Sequence, residues 1–163
     1  MLDASSSSAL AQKLGTLEGA ALGDLFCFVS GLYFRGKLAY AQTFGKALVM
    51  TAGGGLQTPD ERVTRDRLLG WSKTVVHESN PHFTAPLIRA AAELADEQPD
   101  GTRFVLLGSL ATNKYIEPLL EVFGARLLYP RELSGMGDMS RGALLLRSAK
   151  EHRELAYASV TPE

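Results

Sequence analysis

Short apolar runs alternate with stretches of helical spacing along this chain, and that alternation constrains the fold more than any other feature. Phe104-Val105-Leu106-Leu107 is apolar throughout and closed by Gly108, the pattern of a parallel strand covered on both faces. Phe26-Cys27-Phe28-Val29, Ala47-Leu48-Val49-Met50-Thr51 and Leu127-Leu128-Tyr129 read as further short strands, and Lys73 to His77 as a fifth. Between them the spacing turns helical. Tyr33 to Phe44 carries Phe34, Leu38 and Ala41 on one stripe and stops at Gly45. A short helix lies around Arg65 to Trp71. Thr84 caps another, with Pro86 in its first turn and Leu87, Ala91 and Leu94 on its apolar side. A last one runs through Leu119, Leu120 and Phe123 to Gly124, with Pro118 setting its start near Glu117. Strands alternating with helices predict an α/β fold: a single three-layer, Rossmann-like domain, residues 1–163, with a mostly parallel sheet whose central strand is Phe104 to Leu107.

The two ends differ from the middle. Residues 1–24 hold Ser5 to Ser8, Ser8 placed as a cap, and a helical pattern through Leu10, Leu14 and Leu17 that Gly15, Gly19 and Gly23 weaken. In the tail, Leu144, Leu146 and Ser148 alternate, four polar residues intervene, and Leu155, Tyr157 and Ser159 alternate again. This predicts a C-terminal antiparallel hairpin burying Leu144, Leu146, Leu155 and Tyr157, with a helix over 141–156 as the competing reading.

A length of 163 residues fits one domain, and 45% hydrophobic with 21% charged residues excludes wholesale disorder. Seventeen Lys and Arg against 18 Asp and Glu leave a net charge of -1, which disfavours a nucleic-acid-coating role. The single Cys27 excludes an internal disulfide and fits a reducing compartment. Neither a signal peptide nor an apolar run of the ~18 residues a membrane span needs is present. The expectation is a cytoplasmic protein with no membrane partner.

Ligands of open α/β sheets bind beyond the carboxyl ends of the strands. Four glycine-bearing segments converge there on this reading: Ser30 to Lys37, Thr51 to Pro59, Gly108 to Tyr115, and Ser134 to Arg141. Gly108-Ser109-x-x-Thr112-Asn113-Lys114, leaving the best strand for a helix, resembles an anion cradle of backbone N–H groups, helix dipole and ammonium. Tyr33 is placed to stack on a planar base, with Arg35 or Lys37 meeting a phosphate; the bland alternative is a packed tyrosine and two solvated cations. Asp138, Ser140 and Arg141 offer a carboxylate, a hydroxyl and a guanidinium, though Asp138 equally suits a helix cap. The candidate set is therefore Asp138 as acid or base, with Tyr33, Arg35, Ser109, Thr112, Asn113, Lys114 and Arg141 as ligand-binding residues. For Lys114 the plain alternative is a surface ion pair with Glu117 or Glu121.

Several chemistries fall away. Gly-x-x-x-x-Gly-Lys-Ser/Thr, Gly-x-Ser-x-Gly and a well-placed Gly-x-Gly-x-x-Gly are all missing, which disfavours NTPase, hydrolase-elbow and dinucleotide readings. His77 and His82 share no helix face across Pro81, so no metal site is expected, and no cofactor is implied. Cys27, between two phenylalanines, reads as inert packing.

Leu32-Tyr33-Phe34-Arg35-Gly36-Lys37-Leu38-Ala39-Tyr40-Ala41, followed by Leu48-Val49-Met50-Thr51-Ala52-Gly53-Gly54-Gly55-Leu56-Gln57-Thr58-Pro59, resembles uncharacterised bacterial α/β proteins. Those are remotely similar to the uracil-DNA-glycosylase-like domain that accompanies tRNA-guanine transglycosylase relatives. The resemblance spans residues 26–145 and implies fold-level kinship alone. The functional expectation is binding of a small anionic or nucleobase-containing ligand, a nucleotide, base or sugar phosphate, with hydrolase or transferase turnover left open. The alternative is a non-catalytic interaction or homo-oligomerisation protein using the hairpin edge at Leu144 to Leu146.

Overall fold

A computed structural model describes residues 9–160 of the chain. The elements run α1 (Ala9–Leu14), β1 (Ala20–Ala21), α2 (Leu22–Phe44), β2 (Val49–Thr51), β3 (Gly55–Gln57), β4 (Arg62–Val63) and α3 (Arg65–Ser72). They continue with α4 (Pro81–Glu97), β5 (Phe104–Val105), α5 (Asn113–Phe123), β6 (Leu127–Pro130), α6 (Asp138–Lys150) and β7 (Tyr157–Ser159). Ser5 to Ser8, and with them the expected cap at Ser8, lie outside the described residues.

More than half of the described residues are helical, and the strands form two two-stranded ladders, β1–β4 and β2–β3, and one three-stranded sheet ordered β5-β6-β7. β5 runs parallel to β6, β7 antiparallel. The three-layer domain with a large parallel sheet is therefore not formed. Phe104-Val105 is an edge strand of two residues, both only half-buried, and β6 is central. An unbroken apolar run does not by itself distinguish a central strand from a loop-flanked edge that packs on a core through part of its residues, here Leu106, which is buried, and Phe104, stacked on Phe123 at 3.9 Å.

Further expectations are corrected. Phe26 to Val29 is helical: Leu22 and Leu25 turn inward at helical spacing while Phe28 and Val29 are each 61% exposed. Aromatic and β-branched residues favour strands, but the burial gained along one helix stripe outweighs that preference. The tail is not a hairpin. In α6 the buried residues are Gly142, Leu144, Leu145, Ser148 and Ala149, which fall on one helix stripe, and Leu146 is 40% exposed. β7 is a strand, but its partner is β6. Lys73 to His77 forms no strand. Two helices start elsewhere than expected. Asn80 caps α4 by accepting the His82 N–H at 3.1 Å, with Pro81 at the first helical position. Likewise α5 begins at Asn113, not near Glu117, and carries Pro118 inside it.

The described residues form two compact units, each assembled from separated chain segments. The first takes residues up to Val49, Gln57–Lys73 and Met136–Glu154; its core is Leu14, Ala20, Leu22, Leu25, Val49 and Val63. The second takes Met50–Leu56, Thr74–Gly135 and Leu155 onward; its core gathers Phe83, Leu87, Leu106, Leu119, Phe123 and Leu127 among others.

Within the first unit, α2 packs along α6. The chain of α2 breaks at Gly31 (φ 66, ψ -147), a conformation that L-residues avoid. Phe26 and Phe34 clasp that break edge-to-face at 5.3 Å. Beyond it, Gly36 and Gly142 bring the helix backbones together. A Cβ on Gly142 would stand 2.8 Å from both the Leu32 carbonyl oxygen and the Tyr33 Cα, and one on Gly36 would collide with the Gly142 carbonyl oxygen.

Candidate functional site

That crossing decides which polar side chains meet. Lys37 follows Gly36 and Arg141 precedes Gly142, and Arg141 lies close enough for its charge to act on the Lys37 amine. The Lys37 ammonium lies over the Tyr33 ring, 4.2 Å from its centroid, and 5.7 Å from that of Phe34. Tyr33 and Lys37 sit four apart on α2, the spacing that makes helix neighbours. Arg141 is largely covered, its side chain 18% exposed, and its guanidinium stands 3.9 Å from the Asp138 carboxylate, which is 75% exposed.

Burial pushes the Lys37 amine below the ordinary lysine range; Asp138 opposes that shift and Arg141 adds to it. Desolvation penalises the ammonium, and a second cation nearby penalises it again. The crossing thus holds two positive groups partly out of water, with a solvated carboxylate beside them.

Of the residues expected from sequence, Tyr33, Asp138 and Arg141 come together here. Lys37, recognised in the sequence only as an alternative to Arg35, belongs with them. The signal for it was the pair of cation–glycine neighbours, Gly36-Lys37 and Arg141-Gly142. Arg35 is exposed, and its charge acts on Cys27, drawing that thiol down against burial and Asp24, which together hold it above the ordinary cysteine value. A thiol so held is protonated and a poor nucleophile. Tyr33 presents one ring face to Lys37, so a stacked base has at most the other.

Ser109, Thr112, Asn113 and Lys114 belong to the second unit. Ser109 Oγ accepts the Ala111 N–H at 3.1 Å, closing a local turn. Thr112 is the N-cap of α5 without a side-chain capping bond, Asn113 is its first residue, and the Lys114 ammonium lies 5.1 Å from the Tyr115 ring centroid. Gly53 and Gly54 lie in the turn between β2 and β3, and Gly55 opens β3: Thr51 Oγ1 donates to the Gly55 carbonyl at 2.9 Å and accepts the Gly54 N–H at 3.0 Å. His77 is engaged locally, its Nδ1 accepting the Ser79 N–H at 3.1 Å.

Among the described residues no group of three or more His, Cys, Asp or Glu is gathered as a metal would need, and no helix is long and apolar enough to cross a membrane. No family model, curated protein or solved structure matches the chain.

Proposed function

We propose that the first unit binds a small anionic ligand at the α2–α6 crossing, through Lys37 and Arg141 with Tyr33 alongside. The observation that carries this reading is the juxtaposition of the two cations by Gly36 and Gly142 in a partly desolvated place. Charge-assisted hydrogen bonds are strongest where water is excluded, and an anion shared between the two cations relieves their mutual repulsion. A guanidinium offers a planar fork to a carboxylate or phosphate, and the ammonium adds a mobile point charge. The Asp138 carboxylate is mostly in water and is the group an incoming anion replaces beside Arg141.

The test is thermal melting with phosphate, pyrophosphate, pyruvate and lactate, against glycerol as an uncharged control. A ligand at about 100 times its Kd adds about 2.7 kcal/mol, or roughly 5–11 °C for a chain of this size. The double variant Lys37→Met, Arg141→Gln is expected to lose the shift. A flat response to every anion, or a shift that survives in the double variant, overturns the reading.

A further inference from the structure

We propose that Ser79, in the turn leading into α4, is a nucleophile that accepts the acyl group of a small uncharged ester, with His77 as its base. The site lies in the second unit and does not depend on the anion-binding reading. The Ser79 hydroxyl is 2.8 Å from His77 Nδ1, and the Ser79 backbone N–H donates to the same nitrogen at 3.1 Å. A backbone N–H can only donate, so Nδ1 carries the lone pair, the ring proton is on Nε2, and the hydroxyl in turn donates to Nδ1. Across the ring, Nε2 stands 3.8 Å from the Glu78 carboxylate. This is the arrangement that activates a serine: a nucleophile within hydrogen-bond reach of a base, with a third group facing that base. The turn keeps its shape through its own bonds. The Asn80 N–H donates to the His77 carbonyl at 3.0 Å, Asn80 Nδ2 donates to the Val75 carbonyl at 2.7 Å, and Asn80 Oδ1 caps α4. Ser79 is exposed, so an ester reaches it, and Val75, 68% exposed, gives the same turn an apolar side chain to meet a short acyl group.

The step balances without a redox partner. The Ser79 oxygen bonds to the ester carbonyl carbon as its proton passes to Nδ1 and the carbonyl π pair moves to oxygen. Return of that pair breaks the bond to the alkoxide, which leaves and takes up the proton held on Nδ1. Serine and ester thus yield acyl-serine and alcohol. The imidazolium formed midway is favoured by the Glu78 carboxylate, a positioning residue that acts through the ring. The first turn of α4 has no N–H left to hold the oxyanion: Pro81 has none, that of His82 goes to Asn80 Oδ1, and those of Phe83 and Thr84 go to the Asn80 carbonyl. A missing oxyanion donor costs about 10²–10³ in kcat. The reaction is therefore confined to activated esters, and the acyl-serine itself is the quantity to measure.

The experiment treats the full chain with p-nitrophenyl acetate and maps acetylated peptides by mass. The expected result is acetylation of Ser79 at least about tenfold above that of Ser72, an exposed serine whose hydroxyl donates to the Leu69 carbonyl at 2.7 Å. Ser79→Ala removes the label. His77→Ala is expected to lower it at least about tenfold, and added imidazole to restore it, which a histidine that merely shapes the turn would not allow. Glu78→Gln is expected to lower it about two- to fivefold at low salt, a difference that closes near about 1 M salt, where exposed charges are screened. Acetylation of Ser79 no greater than that of Ser72, an unchanged label in His77→Ala, or a loss there that imidazole does not restore overturns the proposal. A Glu78→Gln label equal to that of the wild type at low salt, or a deficit that salt leaves unchanged, overturns the part given to Glu78.

Discussion

Gly36→Ala and Gly142→Ala are expected to destabilise the protein although alanine is the better helix former. In an unobstructed helix, replacing glycine with alanine gains up to about 1 kcal/mol. Here the new methyl meets backbone. On Gly142 it stands 2.8 Å from the Leu32 carbonyl oxygen and the Tyr33 Cα, and on Gly36 it meets the Gly142 carbonyl oxygen. Main-chain atoms of a packed helix do not swing aside as a side chain would, so α2 and α6 must separate. Overpacking of this kind costs about 1–3 kcal/mol, and backbone in the way sets these sites at the upper end. The net loss is about 1–2 kcal/mol, a fall in Tm of roughly 2–8 °C. Gly70 is the internal control. It lies in α3, where a methyl in place of its hydrogen would meet nothing within 4 Å, so Gly70→Ala keeps only the propensity gain and is expected to raise Tm by about 2–4 °C. Differential scanning calorimetry of the three variants reads the sign directly. If Gly36→Ala or Gly142→Ala melts at or above the wild type, the close crossing, and the placement of Lys37 beside Arg141 that follows from it, is wrong.

Three more outcomes follow from single residues. Gly31→Ala is expected to cost about 1–3 kcal/mol in urea unfolding, because its φ of 66 lies where L-residues are strained although the site has room for a methyl; an unchanged midpoint would remove the break in α2. Ser148 is fully buried with an Oγ that has no hydrogen-bond partner, so Ser148→Ala is expected to stabilise by up to about 1–3 kcal/mol, the desolvation penalty recovered; a clear loss of stability would mean that the hydroxyl is engaged. Lys37 is held below the ordinary lysine value, so between its folded and unfolded values the unfolded chain binds more protons and stability rises with pH. Lys37→Met is accordingly expected to be more stable than wild type at neutral pH, with the gap closing as pH rises through the folded value toward the ordinary one; a gap that widens with pH refutes the direction of the shift.

How much of this was legible in the sequence depends on whether the deciding contact was local. Tyr33 and Lys37 as helix neighbours, the stop of α2 before Gly45, the short helix near Arg65 to Trp71 and the β6 strand at Leu127 all rest on spacing within a few residues, and the structure keeps them. Phe26 to Val29 and the tail failed for a shared reason. Both contain consecutive apolar residues whose strand-like composition matches a period of two as well as a helix stripe, and only a packing partner decides between them. For the tail that partner is α2, about a hundred residues earlier. The placement of Phe104 to Leu107 as a central strand failed because centrality belongs to the sheet, and the strand between β5 and β7 is β6. The rule that places ligands at strand ends then had no broad parallel sheet to act on, which is why Ser109 to Lys114 fall in one unit and Tyr33, Asp138 and Arg141 in the other. What does gather those three with Lys37 is a pair of glycines without side chains. A glycine inside a helix is a weak point, a cost of up to about 1 kcal/mol against alanine. Facing one another across α2 and α6, the two weak points become the place where the backbones can touch, and the cations beside them are carried into the contact.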